Sequence, residues 1–152
     1  MSKIRAQRMS PLIHLAKKSV NEALSYIGNL QQSINSENQK QQSLMSYQGE
    51  YLQQFQAAGS AGMSGNKLQQ FESFILQIDT ALTRQQHQVQ QFEQQLQQAQ
   101  NIYLQLNQRL KSYEKLQQKL HQRADAQENR QLQSFLDEMG AQLHRLQQDA
   151  QQ

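Results

Sequence analysis

Apolar residues recur along this chain at alternating steps of three and four, the spacing of a helix packed lengthwise on another helix. In the first segment one seam position reads Ile13, Val20, Ile27, Ile34, Gln41, Gln48, Phe55, and its companion reads Ala16, Ala23, Leu30, Glu37, Leu44, Tyr51, Ala58. In the second segment the seams are Leu68, Ile75, Leu82, Val89, Leu96, Tyr103, Leu110 and Phe71, Ile78, Gln85, Phe92, Ala99, Leu106, Tyr113. A stripe this narrow, sustained this long, is buried only by a matching stripe.

Few residues interrupt the pattern. Ser10-Pro11 reads as an N-cap followed by proline at the first helical position, where its missing N–H costs nothing. The run Gly59-Ser60-Ala61-Gly62-Met63-Ser64-Gly65-Asn66 reads as a turn, and Asn66 with Gln69 as a capping box that opens the next helix. The pattern thus predicts an all-α protein. It is one coiled-coil unit over 1–152, with helix 1 over 10–58, a turn over 59–66, helix 2 over 67–131 and a C-terminal helical extension over 132–152. Two helices joined by a short turn run antiparallel, giving a rod-like coiled-coil hairpin with arms of roughly 70 Å at 1.5 Å per residue.

The pattern also predicts a register. With the turn centred near Met63, facing positions sum to about 126, so Phe55 faces Phe71, Leu44 faces Leu82 and Ala16 faces Leu110. Gln41 then falls opposite Gln85. An unpaired buried amide costs about 1–3 kcal/mol, so these two glutamines are expected to pair and set the register. Glu37 against Val89 and Gln48 against Ile78 fit less well and are expected to lean toward solvent.

The heptad lapses after Tyr113, where Leu116 and Leu120 continue an apolar trace, and His121 to Gln131 is polar. Apolar spacing resumes out of phase at Leu132, Leu136, Met139, Leu143 and Leu146, flanked by Phe135. This tail either extends helix 2 without a partner or bends back near Gly140. Leu132, Phe135, Leu136 and Met139 are the candidate contact surface for another protein, against the alternative of a frayed or self-associating end.

Composition narrows the function classes. Of 152 residues 36 are glutamine, only 36% are hydrophobic and the mean hydropathy is −0.90, too little apolar material for a globular core of this length. Most glutamines sit off the seams, as uncharged helix formers on a solvated face. There are no cysteines, and no apolar run approaches the ~20 residues that span a bilayer. A cytoplasmic, soluble protein is the expectation. His14, His87, His121 and His144 are scattered, and Asp137 and Glu138 diverge by ~100° on a helix, so neither a metal site nor an acid–base pair is expected. No cofactor, no catalytic residue and no enzymatic activity are expected.

Charge points to a partner. Lys3, Arg5, Arg8, Lys17 and Lys18 precede the first acid, and Arg109, Lys111, Lys115, Lys119 and Arg123 surround only Glu114. The register gathers both clusters at the open end of the hairpin, a focused positive field suited to an acidic protein surface. Nucleic acid and an anionic membrane are the alternatives, and the first is disfavoured by the absence of a known module and of interleaved aromatics beyond Tyr113. Self-assembly through the seams is a third reading.

The segments Tyr47-Gln48-Gly49-Glu50-Tyr51 and Phe74-Ile75-Leu76-Gln77-Ile78-Asp79-Thr80-Ala81-Leu82, in this order about the turn, resemble the flagellar export protein family FliJ. Glu128-Asn129-Arg130 and Phe135-Leu136-Asp137-Glu138-Met139 are similar to that family's end, where an aromatic residue more usually stands in place of Met139. The resemblance covers nearly the whole chain. It implies a component of the flagellar type III export apparatus, a stalk-like antiparallel coiled coil similar to the central shaft of rotary ATPases. The implied partners are the hexameric export ATPase FliI, the export gate protein FlhA and export chaperones. The implied location is cytoplasmic, peripheral to the inner membrane at the flagellar base, with membrane contact only through partners and a monomeric free chain. Periodicity leaves open which tip enters the ring.

Overall fold

The computed structural model describes residues 2–151, which form two helices, α1 over Ser2–Ser60 and α2 over Gly65–Ala150, and no strand. The all-α helical hairpin expected from the seams is the observed fold. The chain divides into two compact units, Asn21–Leu104 and Met1–Val20 with Gln105–Gln152.

The Asn21–Leu104 unit contains the turn. Near the end of α1 the Ala61 N–H donates to the Ala57 carbonyl at 3.3 Å and the Gly62 N–H to the Gly59 carbonyl at 3.3 Å. Gly62 has φ +90°, the left-handed conformation in which a helix C-terminus is turned off and in which a Cβ is disfavoured. The N-cap of α2 is Ser64, not Asn66: its hydroxyl accepts the Lys67 N–H at 3.3 Å. The turn is therefore shorter than the expected 59–66, because Ser64 reaches an orphan N–H two residues earlier.

Beside the turn, aromatic rings close the seam. Phe55 meets Phe71 with centroids 5.2 Å apart, as the register predicts, and Tyr51 meets Phe71 at 4.8 Å. Phe74, which the heptad leaves off the seam, is half-buried and packs on Tyr51 at 4.2 Å and on Tyr47 at 5.8 Å. Rings this wide reach past a two-residue layer. Leu30, Ile78, Gln85 and Ala99 are the buried residues of this unit.

The second unit pairs the chain's first twenty residues with the later part of α2. Two expectations change here. Helix α1 starts at Ser2, not at Ser10, and runs through Pro11, which lies inside it. An internal proline forfeits one hydrogen bond and crowds the carbonyl four residues back, about 3 kcal/mol. The seam offsets that cost, since Ala6 at 0% exposure and Ile13 at 7% are both buried and extend the heptad backward by one repeat. Gln117 braces the proline turn: its Nε2 donates to the Ala6 carbonyl and to the Ser10 hydroxyl, both at 3.0 Å.

The seam of α2 also continues past Tyr113. Leu110, Gln117 and Ala124 follow one another at seven-residue steps, as do Tyr113 and Leu120, and Leu110, Leu120 and Ala124 are buried. Leu116, off this phase, is exposed. Helix α2 runs unbroken through Gln131 and Gly140 to Ala150, so the expected boundary at 131 and the bend at Gly140 are absent.

The turn geometry carries a paired prediction. Gly62→Ala places a Cβ at φ +90° and should cost about 1–2 kcal/mol, lowering the thermal midpoint by about 2–6 °C. Gly59→Ala lies within the helix, where an added Cβ meets nothing within 4 Å, and should raise the midpoint slightly. Calorimetry on the two variants should move in opposite directions; a rise for both would contradict the left-handed turn.

Candidate functional site

The structure brings all ten sequence-predicted basic residues into the unit of paired termini. Lys3, Arg5, Arg8, Lys17 and Lys18 come from α1, Arg109, Lys111, Lys115, Lys119 and Arg123 from α2, and every one is exposed. This unit holds twelve basic against six acidic residues, whereas the Asn21–Leu104 unit holds three against six. Among the described residues only Lys3 of the ten makes an ion pair, with Glu128 at 3.7 Å. That pair is solvent-exposed at both ends and adds little to stability.

Helical spacing sorts seven of these cations onto two flanks, and Lys119, three residues after Leu116 and four before Arg123, stands on the side of the arginines. On one, a groove is lined by Leu12, Leu15, Ala16, Ser19, Leu106, Arg109 and Tyr113. Arg5 and Arg8 stand seven and four residues before Leu12 and share its face, as Arg123 shares that of Leu116 and Arg109. On the other flank, Lys17, Lys111 and Lys115 surround Ile13, with Glu114, His121 and Asp125 among them. One flank is an apolar floor with arginine edges; the other is a polar lysine face. The groove was not foreseen from the seams, because Leu12 and Leu15 lie off the heptad. Their signal was the spacing Arg8-Leu12-Leu15-Ser19 on a single face.

The tail residues Leu132, Phe135, Leu136 and Met139 are all exposed, as are Leu143 and Leu146. They form one stripe on the continuous helix, exposed along its length. Local hydrogen bonds on this segment are helix-surface ones, such as Gln133 Nε2 to Asp137 Oδ1 at 3.1 Å.

The two expected register residues behave differently from each other. Gln85 is buried at 8% exposure, and its Nε2 donates to the Glu37 carbonyl at 2.7 Å and to the Glu37 carboxylate at 3.3 Å. Gln41 is half-buried and is not its partner. Glu37 does not lean fully into solvent: it is half-buried and is held at its own edge by Lys40 at 3.4 Å. A carboxylate and a carbonyl together outcompete a neutral amide one turn further along. Gln48 instead donates to Asp79 at 2.7 Å. The Gln85 Oε1 is left without a partner.

Among the described residues no group of three His, Asp or Glu side chains is placed to hold a metal ion, and no helix is long and apolar enough to cross a membrane.

The flagellar FliJ protein family matches residues 5–149 of this chain. The chain belongs to the FliJ family. It is also similar to the flagellar FliJ protein of Escherichia coli (strain K12), 28% identical over 93 residues. That match covers 61% of this chain and 63% of the relative's length. No solved structure matches the chain.

Membership agrees with the order of segments about the turn. The family-like residues Tyr47, Tyr51 and Phe74 are the ones whose rings stack beside it. The basic flanks and the tail stripe both lie within the span that the FliJ family covers.

The unpartnered Gln85 oxygen yields a test. Gln85→Leu removes a buried orphan acceptor and should stabilise the hairpin by about 1 kcal/mol in a urea titration. A loss of stability would show that the bonds to Glu37 outweigh the orphan.

Proposed function

We propose that this chain is a component of the flagellar protein export apparatus, a stalk-like helical hairpin that docks in the ring of the export ATPase, of the FliI type. Its basic end is the docking element, and it links the ring to the export gate protein, of the FlhA type, with export chaperones as further partners. Family membership supports the place in flagellar export, and the helical hairpin fits the mechanical part. The observation that carries the reading is the charge at the paired termini. Residues 1–20 and 105–123 hold ten basic side chains against Glu114 alone, all of them exposed and nine of them with no ion-pair partner among the described residues.

Such a surface is attracted to acidic groups over about 10 Å at ~0.1 M salt and steers association rather than fixing a single pose. The interior of an ATPase ring lined by acidic side chains supplies the complement. Stiffness comes from the seam: a two-helix shaft transmits a displacement along its axis where a single helix would bend. The tail stripe is the second contact element. It lies on the same unit as the basic flanks but differs in chemistry, apolar and acidic where the flanks are basic. Each therefore suits a different partner, and the family's gate protein is the proposed one for the tail.

The test is ATP hydrolysis by a FliI-type ATPase with this chain added across a salt series. The wild-type chain should bind and stimulate, with affinity falling steeply as salt rises. Lys111→Glu, Lys115→Glu and Lys119→Glu together should abolish stimulation while the circular dichroism of the chain stays unchanged. Stimulation at the wild-type level by this triple variant would remove the basic end from the docking role.

A further inference from the structure

The unit of paired termini carries two surfaces that complement each other but cannot meet within one chain. Residues 124–152 hold five acidic side chains against Arg130 and Arg145, a net −3 on a segment whose stripe is exposed and apolar. Residues 1–20 and 105–123 are strongly basic and carry the groove of Leu12, Leu15, Leu106 and Tyr113, edged by Arg109. Helix α2 is unbroken from Gly65 to Ala150, so a chain's own tail runs on past its groove and does not return to it.

Spacing shows what does fit. The groove side of α2 reads Leu106, Arg109, Tyr113, Leu116, and the tail reads Leu136, Met139, Leu143, Leu146. Taken in reverse, the second set pairs with the first layer by layer, each pair summing to 252. A constant sum is the condition for an isologous antiparallel contact, in which residue i of one copy meets j of the other and j meets i. The stripes turn about the helix axis by roughly 120° between their centres, so the two helices wrap about each other between the two seats. Near the centre of symmetry Arg123 falls within one residue of facing Glu128 of the other copy, so charges of opposite sign meet there.

We propose that two copies of this chain associate through their ends, the acidic apolar tail of each lying in the arginine-edged groove of the other. This departs from the monomer expected when only the hairpin seams are counted, because the seams leave both of these faces uncovered. Two such seats, each a helix of about four turns in a groove, must together bury at least the roughly 1,200 Å² of specific interfaces. The dimer covers the arginine flank and the tail and leaves the lysine flank open. A partner that needs the tail competes with the second copy, so this state stores the chain with its apolar surface protected.

The test uses the full chain alone, with no ATPase present, so its outcome is independent of the export reading. Sedimentation equilibrium from about 5 µM to about 200 µM should show the mass rising from 17.7 kDa toward twice that value, with dissociation at high salt. Leu136→Asp with Met139→Asp, both on an exposed face, should hold the chain at 17.7 kDa with unchanged helicity. Because the chain has no cysteine, pairing is mapped directly. Leu116→Cys and Leu136→Cys chains, mixed and mildly oxidised, should form a disulfide-linked pair, whereas neither cross-links alone. A constant 17.7 kDa at every concentration overturns the proposal. So does efficient cross-linking of Leu136→Cys to itself, which would mean that the tails pair with each other in parallel.

Discussion

A helix with an apolar stripe only two residues wide has one way to take it out of water, which is to lay it against a second stripe of the same period. Everything else in this molecule depends on that contact. With barely a third of its residues hydrophobic, the chain has no material for a layered core, and its buried side chains are single residues spaced along the seam. Among the described residues no large side chain is fully buried. The seam tolerates small and polar members because it is long: Ala6, Ala99 and Ala124 are buried where larger residues would force the helices apart, and Gln85 is held by the backbone and carboxylate of Glu37. Pro11 is tolerated for the same reason. Continuity of burial on both sides of it, with Gln117 bonded to Ala6 and Ser10, outweighs one forfeited hydrogen bond.

The stripe also dictates where function can reside. A seam consumes the inward face and provides no cleft, so chemistry is restricted to what the outer faces display. Those faces are rich in glutamine, which is polar, helix-forming and neutral. Against that neutral ground the charged positions stand out. Basic residues concentrate at the paired termini, and acidic residues on the tail and in the Asn21–Leu104 unit. The two units therefore differ in sign, and an acidic partner is drawn to the basic residues of the unit that holds the first twenty residues.

How much of this could be read beforehand follows from which residues announce themselves. Two helices, their antiparallel pairing and the Phe55–Phe71 layer were legible because Ile, Leu and aromatic residues mark the seams on either side of the turn. The seam was lost where its members cease to look apolar. Ala6 before Pro11, and Gln117 and Ala124 beyond Tyr113, keep the seven-residue step without the hydrophobicity that signals it. Capping was misplaced by two residues because Asn66 with Gln69 and Ser64 with Lys67 offer the same local geometry, and only the chain's exit from Gly62 decides between them. Gln41 and Gln85 are opposite by count, yet a carboxylate one turn away takes the bond, a preference of energy that spacing cannot express. The ten cations could be located from the register alone. Their division into an arginine flank and a lysine flank could not, because it depends on which side of α1 each part of α2 lies.

That division places two kinds of contact surface on one short chain. Arginine keeps its charge when desolvated and stacks against apolar and aromatic surface, whereas lysine is strongly hydrated and acts at a distance. A groove edged by arginine beside Tyr113 and Leu15 suits a contact that is buried once made, and a lysine face suits one that is attracted but stays wet. The first is the surface on which an amphipathic acidic helix settles. The second is the surface that attracts an acidic partner without being buried by it. A chain proposed to engage a ring and still be released has reason to keep these two kinds of contact on different sides of the same pair of helices.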